Sequence, residues 1–203
     1  MNQSNLWEIE QSFFDSGVQV ICGVDEAGRG PLAGPVCAAA VILPANIEIP
    51  GLNDSKKLSD KRRRELYPVI MEQAVAYGIG FADHNEIDDI NILQATFLAM
   101  ERAINAMNVK PELALIDGNR AKYFGVPVKT VVHGDGLSAS IAAASVLAKV
   151  TRDDVMLKMA EQYPQYGFEV HKGYGTKAHY QALEKYGPCP IHRMTFLKKL
   201  YGV

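Results

Sequence analysis

Two apolar, strand-like segments near the start of the chain flank a turn rich in glycine and proline, and this pattern strongly limits the fold. The segments run from Val18 to Val24 and from Val36 to Leu43. Apolar runs of this length, bounded by turn residues, are typical of buried strands. They predict an antiparallel hairpin.

The rest of the chain alternates between helical and strand-like patterns. Helices are predicted over 6–14, 59–73, 91–107 and 137–162, and Ser59 can cap the second of them. Strands are predicted over 74–82, 113–116 and 126–132, and a short helix and a basic amphipathic end after Pro164. Strands that are first antiparallel and then alternate with helices indicate an α/β fold with a mixed five-stranded sheet flanked by helices. Because no linker interrupts this order, we expect one domain over 1–203, with a helical C-terminal extension from about residue 164 to 203.

The helix predicted over 137–162 is rich in alanine. One face carries small apolar residues at helical spacing, namely Ala139, Ala143, Val146 and Val150. Small side chains would let this helix lie close against the sheet. The opposite stripe holds Ser145, Lys149 and Arg152, and periodicity alone leaves open whether it faces solvent or a groove.

The composition fits a folded protein of the cytoplasm. With 48% hydrophobic and 22% charged residues among 203, the chain can bury a full core. Acidic residues interrupt the first 15 positions, where a signal peptide requires an apolar run, and no stretch approaches the roughly 18 apolar residues of a membrane span. We expect a cytoplasmic monomer that has no membrane anchor.

Basic residues are concentrated in two places although the net charge is −2. Residues 56–64 hold six lysines and arginines and one acid, and six more basic residues follow His171 with Glu184 as the single acid. Such clusters are typical of surfaces that track a phosphate backbone. They are also compatible with solvated helix faces.

Asp25 and Glu26 are adjacent carboxylates directly before the turn Gly28-Arg29-Gly30. Carboxylates are hard oxygen ligands suited to Mg²⁺ or Mn²⁺. The two glycines leave backbone N–H and C=O groups uncovered, so that a ligand can approach the main chain closely. A metal site beside such a backbone surface is what an enzyme that cleaves phosphodiesters requires.

Two further acids, Asp117 and Asp135, follow later predicted strands. Ligands collect at strand ends in open α/β sheets, and carboxylates gathered there repel one another unless cations neutralise them. We therefore predict a site for two divalent ions, Mg²⁺ or Mn²⁺, at Asp25, Glu26, Asp117 and Asp135. Taken alone, each Asp-Gly pair is better explained as an ordinary turn, so the prediction rests on the combination.

Asp25 and Glu26 present a geometric problem, because neighbouring strand residues point to opposite faces of a sheet. Either the glycines bend the strand, or one residue binds metal through its backbone carbonyl. We hypothesise that Asp25 is the central side-chain ligand and that Glu26 is the more ambiguous of the two.

The chain closely resembles the type 2 ribonucleases H. The resemblance is carried by GVDEAGRGPLAG at 23–34, GLNDSKKL at 51–58, IDGNR at 116–120, Gly134-Asp135, AAASVLAKVTRD at 142–153 and YGFEVHKGYGT at 166–176, in the family's order. It implies a ribonuclease H-like fold and metal-dependent endonucleolytic hydrolysis of the RNA strand of RNA–DNA hybrids. It also implies incision on the 5′ side of single ribonucleotides embedded in DNA, which leaves 3′-hydroxyl and 5′-phosphate ends.

The same resemblance implies residue roles. Asp25, Glu26, Asp117 and Asp135 would be catalytic metal-binding acids, Gly28, Arg29 and Gly30 would detect the 2′-hydroxyl, and Tyr174 would recognise the RNA–DNA junction. Backbone groups and a stacking tyrosine are indifferent to base sequence, so such an enzyme selects the sugar. Lys56, Lys57 and Lys172 would hold the flanking phosphates.

The chain departs from the family beside the fourth acid. Type 2 enzymes commonly carry basic residues just before that Gly-Asp pair and two positions after the Asp, where this chain has His133 and Leu137. The departure puts the local phosphate contact and the pKa of the site in question. Asp153 is a rival for the fourth acid, but its place within the alanine-rich helix beside Arg152 favours a structural role.

Other functions stay open at this level. A different metal-dependent nuclease or strand transferase would cut plain duplex DNA, and a non-enzymatic hybrid-binding module would still bind after Asp117→Asn. The segment from Thr195 to Tyr201 could dock a replication protein, although a basic helix packed on the domain is the favoured interpretation. No protein partner is identified by the sequence.

Overall fold

The computed structural model describes residues 6–202. In this range the strands are β1 (Ile21–Ala27), β2 (Val36–Ile42), β3 (Ala76–Ala82), β4 (Leu113–Asp117) and β5 (Val128–Val131). The α-helices are α1 (Glu8–Phe14), α2 (Asp60–Gln73), α3 (His84–Asn105), α4 (Ala139–Gln162), α5 (Phe168–His171), α6 (Lys177–Tyr186) and α7 (Lys198–Tyr201). Short 3₁₀ turns lie at Gly134–Gly136, Pro164–Tyr166 and Met194–Phe196.

The five strands form one mixed sheet in the order β3-β2-β1-β4-β5. The pairs β1–β2 and β2–β3 are antiparallel, whereas β1–β4 and β4–β5 are parallel. The predicted mixed five-stranded sheet and its opening hairpin are therefore confirmed. Because β1, β4 and β5 are parallel neighbours, their C-terminal ends meet at one edge of the sheet.

Strand β1 lies three residues later than the apolar pattern predicted. Asp25 pairs with Ala39 and Glu26 with Ala38, so the ladder to β2 continues through both acids. Backbone pairing with β2 outweighs the local polarity of the two carboxylates. The strand does not break at the acids, and the turn begins only at Gly28, whose φ of +96° favours glycine.

Helix α3 begins earlier than predicted and is interrupted at Asn91, where φ is 66°. Asp83 and Glu86 form a reciprocal capping box at its start, which the sequence analysis overlooked. After the break, the Asn91 side chain accepts hydrogen bonds from the N–H groups of Leu93 and Gln94 and starts the second segment. Ser59 caps α2 by accepting from the N–H of Arg62, as predicted.

Helices cover both faces of the sheet. Helix α3 packs on one face and α4, with α2 beside it, on the other. The approach is very close at Gly23, where a Cβ atom would lie 2.1 Å from the carbonyl carbon of Ser140 in α4. At Gly80 a Cβ would lie 2.2 Å from the Ala99 oxygen in α3. The predicted close packing of the alanine-rich helix is confirmed.

The C-terminal extension packs against the end of α4 and the turn after β1. Its core combines Leu32, Met156, Phe168, Leu183 and Leu197. The favoured packing of the final segment is confirmed, because Leu197 is buried and the Tyr201 hydroxyl donates to the Leu183 carbonyl at 2.8 Å. None of the helices within residues 6–202 has the length and apolarity needed to cross a membrane.

Candidate active site at the sheet edge

Three aspartates meet at the C-terminal edge of the parallel strands. Asp25 belongs to β1, Asp117 is the last residue of β4, and Asp135 lies in the 3₁₀ turn that follows β5. One carboxylate oxygen from each lies within 4.8 Å of the others. The strand order thus brings together three of the four acids singled out in the sequence, which lie 18 to 110 positions apart in the chain.

Glu26 does not join this group of three oxygens. As the neighbour of Asp25 in an unbroken strand, it points to the other side, where it accepts a hydrogen bond from Arg29 at 3.3 Å. Its side chain borders a second groove that also contains Phe97 and Asn119. The structure thus separates Glu26 from the three clustered oxygens, and the ranking of Asp25 above Glu26 stays a prediction.

The electrostatics of the three aspartates leave negative charge uncompensated. Burial raises the pKa of Asp25 well above its usual range, and the charges of Glu26 and Asp117 raise it further. Partial burial and the charge of Asp135 likewise raise the pKa of Asp117, although the N–H of Gly134 donates to its Oδ1 at 2.7 Å. Such acids are stabilised as carboxylates by a nearby cation.

Lys56 places a protein cation directly against one of these acids. Its Nζ lies 2.9 Å from Oδ2 of Asp135. Burial alone would raise the pKa of Asp135, but the hydrogen bond and charge of Lys56 outweigh burial and lower it. The other two predicted lysines pair elsewhere: Lys57 lies 3.8 Å from Asp54, and Lys172 donates to the Glu169 carbonyl.

The donor set fits a hard divalent ion. All three side chains offer carboxylate oxygen, which Mg²⁺ and Mn²⁺ prefer. Asp25 is only 3% exposed, and among residues 6–202 its carboxylate accepts a hydrogen bond from the N–H of its own neighbour Glu26, at 2.7 Å. A buried carboxylate with so little compensation is the kind of ligand that a metal ion satisfies.

A groove of about 220 Å³ adjoins the aspartates. Its lining includes Asp25, Glu26, Asp117 and Lys56, the turn Gly28-Arg29-Gly30, and Ser145, Lys149 and Tyr174, so that Glu26 borders this groove as well as the second one. Tyr174 is 42% exposed, and a Cβ at Gly30 would lie 3.7 Å from its ring. The predicted turn and the predicted tyrosine therefore face each other beside the acids.

The polar stripe of α4 divides between the groove and the interior. Ser145 and Lys149 line the groove, whereas Arg152 is completely buried. Its guanidinium donates to the carbonyl oxygens of Pro35, Lys172 and Ala33 at 3.0, 3.0 and 3.3 Å. It also occupies the space that a side chain at position 28 would need, because a Cβ there would lie 1.9 Å from Arg152 Nε. Arg152 therefore faces neither solvent nor the groove, which were the two alternatives that periodicity left open for this stripe.

A second buried arginine, Arg193, was not singled out in the sequence. Its guanidinium donates to the carbonyl oxygens of Gly28, Arg29 and Gly34 at 2.6, 2.9 and 2.9 Å. Burial is the larger of two causes that lower the pKa of Arg193 to about 9, and the charge of the neighbouring Arg152 is the second. Arg193 therefore stays charged at neutral pH. No periodicity or motif around position 193 points to this role.

The residues that raised questions around the fourth acid lie outside the cluster. Asp153 pairs with Lys149 at 2.8 Å within α4, which agrees with a structural role. His133 has a left-handed backbone with φ of 57°, and both His133 and Leu137 are exposed beside Asp135.

Comparison with known proteins gives a consistent result. The family described as Ribonuclease HII matches residues 22–199. Ribonuclease HII of Endomicrobium trichonymphae is 56% identical over 195 residues, which cover 95% of this chain and 92% of that protein. Ribonuclease HII of Dechloromonas aromatica is 58% identical over 179 residues, covering 88% and 91%. The crystal structure of the ribonuclease H2 from Pyrococcus horikoshii OT3 superposes with a TM-score of 0.72 at 28% identity, covering 87% and 93% of the two chains.

Proposed function

The chain belongs to the ribonuclease HII family, and from this premise we propose that it incises duplex DNA on the 5′ side of single embedded ribonucleotides, leaving 3′-hydroxyl and 5′-phosphate ends. Membership of the family makes it a hydrolase, an endonuclease of the ribonuclease H type that acts on RNA–DNA hybrids. The proposal therefore concerns the site of the cut, the ends and the residues that perform the reaction.

One observation carries the proposal. The carboxylate oxygens of Asp25, Asp117 and Asp135 lie within 4.8 Å of one another, and the groove beside them is bordered by Gly30 and Tyr174. The cluster of acids can perform the reaction. The adjacent backbone turn can recognise the sugar, and the exposed ring of Tyr174 can stack on a base.

The acids have distinct proposed roles. Asp25 is the central ligand, and Asp117 and Asp135 complete the set from the neighbouring strand ends. Glu26 contributes through its carboxylate or its backbone carbonyl, from the opposite side of β1. Two Mg²⁺ or Mn²⁺ ions held by these residues would activate a water molecule and stabilise the leaving oxygen.

The turn Gly28-Arg29-Gly30 is proposed to detect the ribose 2′-hydroxyl. Main-chain N–H and C=O groups can bond this hydroxyl without contacting a base. Tyr174 is proposed to stack at the RNA–DNA junction, where an aromatic ring accepts any base. The 2′-hydroxyl is a recognition group in this scheme and not the nucleophile, so no cyclic phosphate forms.

Lys56, Lys57 and Lys172 are proposed to hold phosphates of the hybrid or of the ribonucleotide-containing DNA. Lys56 and Lys57 stand at the rim near Asp135, and Lys172 is close to Tyr174 in the chain. Phosphate contacts of this kind weaken steeply as salt is added. Because one chain holds every group that the reaction uses, we propose that the protein acts as a monomer.

The test is an end-labelled DNA duplex with one ribonucleotide, incubated with Mg²⁺, with Mn²⁺ and with chelator, beside an all-DNA control. We expect one cut 5′ of the ribonucleotide with either metal and none with chelator or in the control. The product should be extended by a polymerase, because its 3′ end is a hydroxyl. A cyclic 2′,3′-phosphate, or cleavage of the all-DNA duplex, would refute the proposal.

A further inference from the structure

Arg193 lies near the end of the chain, yet its side chain reaches the turn that follows β1. It is fully buried, and its Nη2, Nη1 and Nε donate to the carbonyls of Gly28, Arg29 and Gly34. A guanidinium is a rigid planar fork, so three simultaneous hydrogen bonds fix the orientation of the three carbonyl groups.

The arginine is itself held in place from two sides. Its own N–H donates to the Leu32 carbonyl at 2.9 Å. Asp88 then accepts from the N–H groups of the next two residues, Met194 at 2.7 Å and Thr195 at 3.0 Å. The carboxylate thus anchors the backbone of the segment, while the guanidinium is directed to the carbonyls of the turn.

The direction of these carbonyls determines what the turn presents on its other side. The structure contains no cis peptide bond among the described residues, and in a trans peptide the C=O of one residue and the N–H of the next point in opposite directions. Because the carbonyls of Gly28 and Arg29 point to Arg193, the N–H groups of Arg29 and Gly30 point away from it. Neither N–H has a protein acceptor among residues 6–202.

We propose that Arg193 is a positioning residue that sets the discrimination of ribose from deoxyribose, by holding the N–H groups of Arg29 and Gly30 outward for the 2′-oxygen. The inference rests on the proposed role of the turn as the 2′-hydroxyl sensor. It adds that this sensor is assembled by the C-terminal segment and not by the turn alone.

The test compares two binding affinities in the full chain carrying Asp117→Asn, which prevents cleavage. Affinity is measured for a DNA duplex with one ribonucleotide and for the all-DNA duplex of the same sequence, and their ratio reports discrimination. A loss of folded protein lowers both affinities equally and leaves the ratio unchanged. Arg193→Lys keeps the charge but loses the fork, so we expect the ratio to fall about tenfold, the equivalent of one strong hydrogen bond.

Two further variants make the outcome decisive. Ile70→Ala empties part of the core at a residue that does not line the groove, and it should lower stability while leaving the ratio unchanged. Asp88→Asn weakens the anchor of the Arg193 segment without altering Arg193, and the ratio should fall by a smaller factor. If Arg193→Lys yields no soluble protein, the ratio of Asp88→Asn decides.

An unchanged ratio in Arg193→Lys, or in Asp88→Asn where that variant decides, overturns the inference and leaves the proposed function intact. A ratio near one in the parent Asp117→Asn protein would instead show that the turn does not detect the 2′-hydroxyl. That result would refute the proposed role of the turn, and it would be visible without any Arg193 variant.

Discussion

The Nζ atom of Lys56 lies 2.9 Å from Oδ2 of Asp135, so that a lysine proposed to hold phosphate contacts one of the acids proposed to hold metal. The lysine side chain is 74% exposed, whereas that of Asp135 is 5% exposed. Without metal, Lys56 therefore neutralises the acid from the solvent side. It would compete with a metal ion for the same carboxylate, and its long exposed side chain could reach a phosphate instead.

Replacing this lysine should strengthen Mg²⁺ binding and weaken substrate binding. Lys56→Met removes a competing cation, so Mg²⁺ affinity in the absence of nucleic acid should rise, by no more than about fivefold because an exposed ion pair contributes at most about 1 kcal/mol. The KM for substrate should rise as well, because a phosphate contact is lost. Calorimetric titration and steady-state kinetics measure the two effects. Lys57→Met should raise Mg²⁺ affinity by a smaller factor, because Lys57 acts on Asp135 through its charge without an ion pair. Weaker Mg²⁺ binding by Lys56→Met would contradict the competition.

The raised pKa of Asp25 predicts that its charge destabilises the metal-free protein. A carboxyl whose pKa is higher in the folded than in the unfolded state favours folding at low pH, and that contribution is lost as the pH rises through the folded pKa. At pH 8, Asp25→Asn should therefore raise the melting temperature of the metal-free protein by about 2–4 °C for each kcal/mol gained. The difference should shrink as the pH falls through the raised pKa of Asp25, because the wild-type carboxyl then takes up its proton.

The same melting experiment ranks the acids. Added Mg²⁺ should stabilise the wild type by mass action and should not stabilise Asp25→Asn. Glu26→Gln should retain part of the shift, because its carboxylate lies apart from the three clustered oxygens. A complete loss in Glu26→Gln, equal to that in Asp25→Asn, would show that the ranking is wrong.

Tyr174 should contribute through its ring. Stacking of a base on an aromatic side chain is worth about 1–3 kcal/mol, so Tyr174→Ala should lower kcat/KM on a single ribonucleotide by roughly 5- to 150-fold. Tyr174→Phe keeps the ring and should stay within about threefold of the wild type, as expected for a stacking role. Equal losses in the two variants would point to the hydroxyl group.

A chain of buried histidines behind Tyr174 predicts acid sensitivity. The Cys189 N–H donates to His192 Nδ1 at 2.9 Å, His192 Nε2 lies 3.0 Å from His179 Nε2, and His179 Nδ1 lies 3.0 Å from the Tyr174 carbonyl. Neutral rings satisfy all of these contacts if His192 donates from Nε2 to Nε2 of His179 and His179 donates from Nδ1 to the Tyr174 carbonyl. Burial, with the neighbouring His179, lowers the pKa of His192 to about 4.

Because the unfolded imidazole takes up its proton near pH 6.5, the contribution of His192 to stability should be lost as the pH falls from about 6.5 to about 4. The loss should be on the order of 2 kcal/mol. Urea unfolding of wild type and His192→Gln across this range isolates the effect, since the other side chains are common to both proteins. The variant should show the flatter pH dependence, and parallel curves would contradict the assignment.

What the sequence predicted correctly rests on local physics. The apolar runs of β2 to β5, the Ser59 cap and the small face of α4 are each determined by residues close in the chain. The meeting of Asp25, Asp117 and Asp135 was predictable because each lies at or near the C-terminal end of a strand of the parallel set. Asp83 and Glu86 carried a capping pattern that would have placed the start of α3 correctly.

What the sequence did not reveal depends on contacts between distant residues. Arg152 and Arg193 are buried charges, and such residues are ordinarily assigned to the surface. Their burial is tolerated because all six guanidinium nitrogens have acceptors. Five donate to backbone carbonyls of the turn that follows β1, and the sixth donates to the Lys172 carbonyl. Only the folded chain brings position 193 to position 28. The place of β1 was missed for a similar reason, since its pairing with β2 overrides the polarity of Asp25 and Glu26.

The most direct test of the account is a metal-specificity switch at the phosphate that is cut. A duplex with one ribonucleotide is prepared with sulfur in place of each non-bridging oxygen of that phosphate in turn, and single-turnover rates are measured with Mg²⁺ and Mn²⁺. Sulfur is a poor ligand for Mg²⁺ and a better one for Mn²⁺, so at least one isomer should be cut roughly tenfold more slowly than the oxygen substrate with Mg²⁺ and recover with Mn²⁺. The same ratio of Mg²⁺ to Mn²⁺ rates for the oxygen substrate and for both sulfur isomers would contradict a metal ion held by these acids against the reacting phosphate.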